Sequence, residues 1–100
     1  EAGKPVLVDL FAEWCVACKE FEHITFADGE VKSLMAQFTL IKIDVTNATD
    51  QDQQLLDHFQ VLGLPTLLLF DKNGSELTQS RITGFMGPKD FSAHLGQILQ

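Results

Sequence analysis

The chain has 100 residues, 45% of them hydrophobic and 21% charged, the balance of one globular domain able to bury an ordinary core. Its formal net charge of −7 argues against nucleic acid or an anionic membrane surface as the main partner. No apolar run approaches the ~20 residues of a membrane span, so this domain is not expected to insert into a membrane directly, and no signal peptide is visible.

The opening "EAGKPVLVDLF" runs almost at once into a strand, and that abruptness predicts a piece of a longer protein. Pro5–Phe11 is a short apolar run rich in β-branched residues, the pattern of a central strand buried on both faces. A helix is expected from Cys15 to about Ile24, interrupted by "FADGEV". Asp28 is a candidate N-cap for a second helical piece through Val31, Leu34, Met35 and Phe38. Thr39–Thr46 is the next strand. A helix capped by Thr49 or Asp50 follows, with apolar Leu55, Leu56 and Phe59 and with Gly63 past its end. Pro65–Asp71 is a third strand, "DKNG" a hairpin turn with positive φ at Asn73 and Gly74, and Ser80–Phe85 the returning strand. Gly87-Pro88 opens a last helix, with Phe91, Leu95, Ile98 and Leu99 on one face.

This order implies an α/β fold with a central mixed sheet and helices on both faces. The first strand is expected at the centre, beside the second and third. Both cysteines, Cys15 and Cys18, then lie where that strand ends and its helix begins, the end at which open α/β sheets build their sites.

Two cysteines three apart serve as a metal clamp, a structural staple or a redox couple. If Cys15 opens the helix, unpaired backbone N–H groups and the positive dipole end favour its thiolate. Cys18 follows one turn later on the same face, within range for a short disulfide. That is the geometry of a reversible couple, with an exposed attacking thiol and a more buried resolving one. A metal site needs further ligands, yet there is no second Cys-x-x-Cys, and His23, His58 and His94 carry no ligand spacing. A staple closing two residues restrains little chain entropy. Three nearby features add weight to the redox reading: Asp9 inside an apolar strand, Trp14 directly before Cys15, and "GLPT" at Gly63–Thr66 opening a neighbouring strand.

With an acid-bearing strand, Trp-Cys-x-x-Cys, a Pro-Thr strand and a Gly-bearing hairpin, the sequence resembles the thioredoxin superfamily over nearly its whole length. Within it, "GKPVLVDLFAEWCVACKEFE", "TF" at Thr25–Phe26, "VLGLPT" and "TGFM" resemble the C-terminal periplasmic domains of membrane-bound thiol:disulfide interchange proteins of the DsbD type. The inner dipeptide Val16-Ala17 is a specific sign, since thioredoxins typically carry Gly-Pro there. The resemblance implies a thioredoxin-like fold with a four-stranded sheet in the order 2-1-3-4. An additional strand and helix, common in the family, would lie upstream. It also implies a reductant relay. Electrons would arrive from a membrane-embedded domain of the same polypeptide and pass to its N-terminal periplasmic domain. The working group would be the Cys15–Cys18 disulfide, with no other cofactor and no metal, in a monomeric domain.

On that resemblance Cys15 is the nucleophile and Cys18 the resolving thiol. Trp14, Val16 and Ala17 would meet the partner. Pro65 would follow a cis bond, Leu64 would offer backbone hydrogen bonds to a partner strand, and Thr66 would begin the strand beyond.

The carboxylates set the direction. Asp9 sits among Val6, Leu7, Val8, Leu10 and Phe11 and is expected to be buried. The spacing of Cys15, Cys18 and Glu22 predicts one helix face. The plainer readings are a strand-end aspartate and a solvated glutamate. A helix N-terminus favours a thiolate by ~0.3–1 kcal/mol, whereas a carboxylate about 6 Å away opposes it by roughly 3 kcal/mol at an effective dielectric of about 20. A nearby ionised Asp9 or Glu22 would therefore raise the Cys15 pKa and favour a reductant. A free-standing thioredoxin-like reductase or isomerase, and a Cys-x-x-Cys metal module, remain the alternatives.

Overall fold

A computed structural model describes residues 3–100. Strand β1 (Val6–Phe11) runs parallel to β2 (Thr39–Asp44) and antiparallel to β3 (Thr66–Phe70), and β4 (Ile82–Thr83) pairs antiparallel with β3. The sheet order is β2-β1-β3-β4, the mixed four-stranded arrangement expected.

Side-chain alternation divides β1 between two cores. Leu7 joins Leu67 and Leu69 on one face, packed against Phe21, Val31, Phe91 and Leu95. Val6, Val8 and Leu10 join Leu68 on the other, where α3 (Asp50–His58) lays Leu55 and Leu56, with Phe59 just past its end. Asp9 shares the parity of Leu7, so it enters the face covered by the helix that follows β1.

That helix is not uniform. Cys15 is the N-cap, with extended backbone, and α1 covers only Val16–Glu20. The expected continuation to Ile24 widens into a π-helical turn, Phe21–Thr25, closed by the Phe26 N–H on the Phe21 carbonyl at 2.8 Å. The wide turn points both Phe21 and Thr25 inward. Phe21 packs at ring-centre distances of 4.9 Å on Phe26, 5.3 Å on Phe91 and 5.8 Å on Phe85. Thr25 donates its hydroxyl to the Met86 carbonyl at 2.6 Å, tying Thr25-Phe26 to the "TGFM" segment.

Other elements follow local chemistry. Asp28 caps α2 (Gly29–Met35) by accepting from the Glu30 and Val31 N–H groups. Strand β2 stops at Asp44, two residues short of the expected end, because the Asp44 carboxylate takes the Thr46 N–H at 2.9 Å. Thr49 and Asp52 form a reciprocal capping box on α3. The left-handed residue closing α3 is Gln60 (φ 56°) rather than Gly63; the Val61 N–H reaches the Leu56 carbonyl in a Schellman closure. At the hairpin only Gly74 takes positive φ, while the Asp71 carboxylate gathers the Asn73 and Ser75 N–H groups. The returning strand is shorter than Ser80–Phe85. A 3-10 turn at Thr78–Ser80 precedes β4, and Gly84 (φ 87°) follows it. Pro88 opens α4 (Pro88–Leu99), which buries Phe91 and Leu95.

Candidate active site

The site forms where β1 runs out. Past Phe11 the chain turns through Ala12 to Trp14, and the Cys15 N–H returns to the Ala12 carbonyl at 3.2 Å. Cys15 then caps α1, its Sγ accepting the Cys18 N–H at 3.1 Å. The two cysteines form a disulfide, with Cα atoms 5.2 Å apart. Each residue is only 7% exposed, so the oxidised pair does not divide into an open and a closed partner. Ala12, Cys15, Cys18 and Val45 form one buried cluster, against which Ala17 and Leu64 pack. The flanking residues are open: Trp14 is 64% exposed and Val16 74%.

Leu64 comes to this cluster from the segment that leads through Pro65 into β3, which starts at Thr66. The Leu64–Pro65 bond is cis. The Thr66 hydroxyl donates to the Gly63 carbonyl at 2.6 Å, and the Gly84 N–H donates to the Pro65 carbonyl at 2.9 Å. Thr66 lies between Leu10 of β1 and Thr83 of β4.

The carboxylates meet the couple at Cys18. Asp9 is 5% exposed and lines a cavity of about 220 Å3 together with Cys18, Glu22 and Lys42. Cys15, the N-cap of α1, is not among its lining residues. Glu22 is exposed at the edge of this cavity. Burial raises the Asp9 pKa from 3.8 to about 6; Lys42 opposes the rise and Glu22 adds to it.

Lys42 is the site residue that sequence reasoning missed. It stands opposite Asp9 in the β1–β2 register, with its ammonium 5.2 Å from the Phe11 ring centre. The signal was present: a single charge interrupts each apolar run, Asp9 in "VLVDLF" and Lys42 in "LIKI". His94 lies near the Ser80 carbonyl at 2.8 Å, and His58 packs on Phe59. Among the described residues no group of three or more His, Cys, Asp or Glu is placed to hold a metal ion.

Residues 1–99 match the family model of the thioredoxin-like domain. The chain is 51% identical over 96 residues to the thiol:disulfide interchange protein DsbD of Actinobacillus pleuropneumoniae, covering 96% of this chain and 16% of that protein. It is 55% identical over 93 residues to DsbD of Escherichia coli K12, again 16% of that protein's length and 93% of this chain. The chain thus spans about one sixth of these curated relatives. The crystal structure of the oxidised C-terminal domain of Neisseria meningitidis DsbD superposes with a TM-score of 0.82 at 31% identity, covering 95% of this chain and 80% of that one. The chain belongs to the thioredoxin-like family, and its sequence and fold are those of a DsbD C-terminal domain relative.

Proposed function

We propose that the chain is a single thioredoxin-like domain of a larger bacterial inner-membrane protein, acting on the periplasmic side as a protein-disulfide reductase in an electron relay. The observation that carries the reading is the Cys15–Cys18 disulfide closed beside the buried acid Asp9. Similarity over almost the whole chain to DsbD, a thiol:disulfide interchange protein, supports thiol–disulfide exchange as its chemistry.

In the reduced domain the Cys15 thiolate attacks one sulfur of a partner disulfide. That bond breaks, a Cys15–partner disulfide forms, and the second partner sulfur leaves as a thiolate that takes up a proton. Cys18 gives its proton to the Asp9 carboxylate and attacks Cys15 Sγ. The Cys15–partner bond breaks as the internal disulfide closes, the partner sulfur leaves as a thiolate that takes up a proton, and the partner departs as a dithiol, two electrons richer. A membrane-embedded donor domain of the same polypeptide restores the Cys15–Cys18 dithiol by the same steps in reverse. The recipient is the N-terminal periplasmic domain.

Each nearby residue has a role in this scheme. The Cys18 N–H already pointing at Cys15 Sγ favours the thiolate once the bond opens. Asp9 and Glu22 oppose thiolate charge and keep the dithiol a poor leaving pair, which favours a reductant. Ala17 and Leu64 pack on the cysteine cluster and Trp14 and Val16 are exposed, which supports a partner strand meeting Trp14, Val16 and Ala17 together with Leu64, Pro65 and Thr66.

Thiol titration tests the redox reading. Two labels per chain should be taken up only after reduction, with no change on adding or removing zinc or copper. Metal-dependent protection of both thiols would instead assign a metal module.

A further inference from the structure

The loop after β2 is tied to the residues before Cys15 by contacts that the redox chemistry does not require. The Trp14 indole N–H donates to the Thr46 carbonyl at 3.1 Å. The Glu13 N–H donates to Thr46 Oγ1 at 2.9 Å. Thr46 is itself held, because the Asp44 carboxylate accepts both its N–H, at 2.9 Å, and its hydroxyl. One hydroxyl thus donates to the Asp44 carboxylate and accepts from the Glu13 N–H. These bonds hold the Asp44 carboxyl below its ordinary range.

The tie crosses 32 residues and fixes an aromatic side chain that is otherwise largely in solvent. Trp14 forms part of a groove of about 290 Å3 whose walls include Val45, Leu56, Leu62 and Leu64. Leu62 is wholly exposed, and Leu64 packs on the cysteine cluster. The separation between Trp14 and the Leu62–Leu64 segment therefore depends on where the β2 loop holds the indole. The Lys19–Glu13 ion pair at 2.7 Å ties the turn before Cys15 to α1, but it is exposed and worth little by itself.

We propose that Thr46, oriented by Asp44, is a positioning residue that holds Trp14 as a pre-set wall of the groove receiving the apolar flank of a partner's disulfide. This inference rests on the relay reading for the identity of the partner. Its physical content is preorganisation: a side chain ordered before binding need not be ordered during it.

Trp14 is the only tryptophan and the chain has no tyrosine, so its fluorescence reports this one side chain. Thr46→Val keeps the β-branch but removes the hydroxyl; Thr46→Ser restores it. In single-turnover transfer from the pre-reduced domain to the oxidised N-terminal domain of the Escherichia coli DsbD relative, Thr46→Val should raise the half-saturating partner concentration (KM) about three- to tenfold with the limiting transfer rate nearly unchanged. Its Trp14 anisotropy decay should gain a fast component, and Thr46→Ser should reverse both changes. Wild-type decay and wild-type KM in Thr46→Val would overturn the proposal. If Thr46→Val does not fold, indole N–H exchange in the wild type decides: slowing relative to free indole supports the clamp, and exchange at the free-indole rate overturns it. A wild type inert toward the disulfide substrate would overturn the relay reading instead, while the anisotropy comparison still decides the clamp.

Discussion

Asp9 of β1 and Lys42 of β2 stand opposite each other in the parallel register and share the wall of the cavity that reaches Cys18. The base holds the acid's pKa down while burial pushes it up, and burial prevails, placing it at about 6. A buried carboxyl in this range exchanges protons near neutral pH, as a resolving cysteine requires.

Asp9→Asn should stabilise the oxidised domain above neutral pH. The folded pKa, about 6, lies above the ordinary 3.8, so the native state binds the proton more tightly than the unfolded chain. The stability linked to this proton is fully present below about pH 4 and is lost as pH rises through about 6. Asparagine mimics the protonated form, so the gain at pH 8 should be ~1–3 kcal/mol and should vanish near pH 3. Urea denaturation across this range measures it. A variant no more stable than wild type at pH 8 would show that Asp9 is not desolvated.

Lys42→Met should move the Asp9 titration above 6, since Lys42 is the group opposing the effect of burial. Carboxyl-carbon NMR of the oxidised domain follows the group directly. A midpoint that stays put or falls would mean that the lysine ammonium is directed away from the acid in solution.

Asp9→Asn combined with Glu22→Gln should lower the Cys15 pKa and speed its alkylation at neutral pH. Each unit of pKa removed raises the thiolate fraction about tenfold and lowers its intrinsic nucleophilicity about threefold, a net gain of about threefold. The check is the pH dependence of alkylation in wild type and double variant. Superimposable curves would leave both acids without influence on the nucleophile.

In the reduced native domain Cys15 should alkylate faster than Cys18. Cys15→Ala should abolish exchange, and Cys18→Ala should accumulate a mixed disulfide because the resolving thiol is missing. Faster labelling of Cys18 would reverse the two roles.

The strands and helices were legible because the apolar runs are short, cleanly bounded and separated by capping residues such as Asp28 and Thr49, whereas the full sheet order came from the resemblance to the thioredoxin superfamily. The cysteine couple was legible from its spacing and its place after a central strand. The π turn was not, since it answers to an aromatic cluster in which Phe21 meets Phe85 and Phe91 from distant parts of the chain. The α3 closure through Gln60 ran against the usual preference for glycine in left-handed backbone. Asp9 was singled out by its charge in an apolar strand, but its pairing with Lys42 needed the strand register. The expected line of Cys15, Cys18 and Glu22 assumed regular helix spacing. In the structure Asp9 and Glu22 line the same cavity as Cys18, and Glu22 lies in the π turn. The Thr46 clamp joins segments more than 30 residues apart and had no local signature.

The most direct test of the relay is thiol accounting in a single transfer. The reduced domain is mixed at equal concentration with the oxidised N-terminal domain of the Escherichia coli DsbD relative. The reaction is quenched in acid over time and labelled for mass analysis. Two thiols should disappear from Cys15 and Cys18 as two appear in the partner. The Cys18→Ala variant should stop at a covalent heterodimer joined through Cys15. Thiols that remain on this domain while the partner stays oxidised would contradict the account.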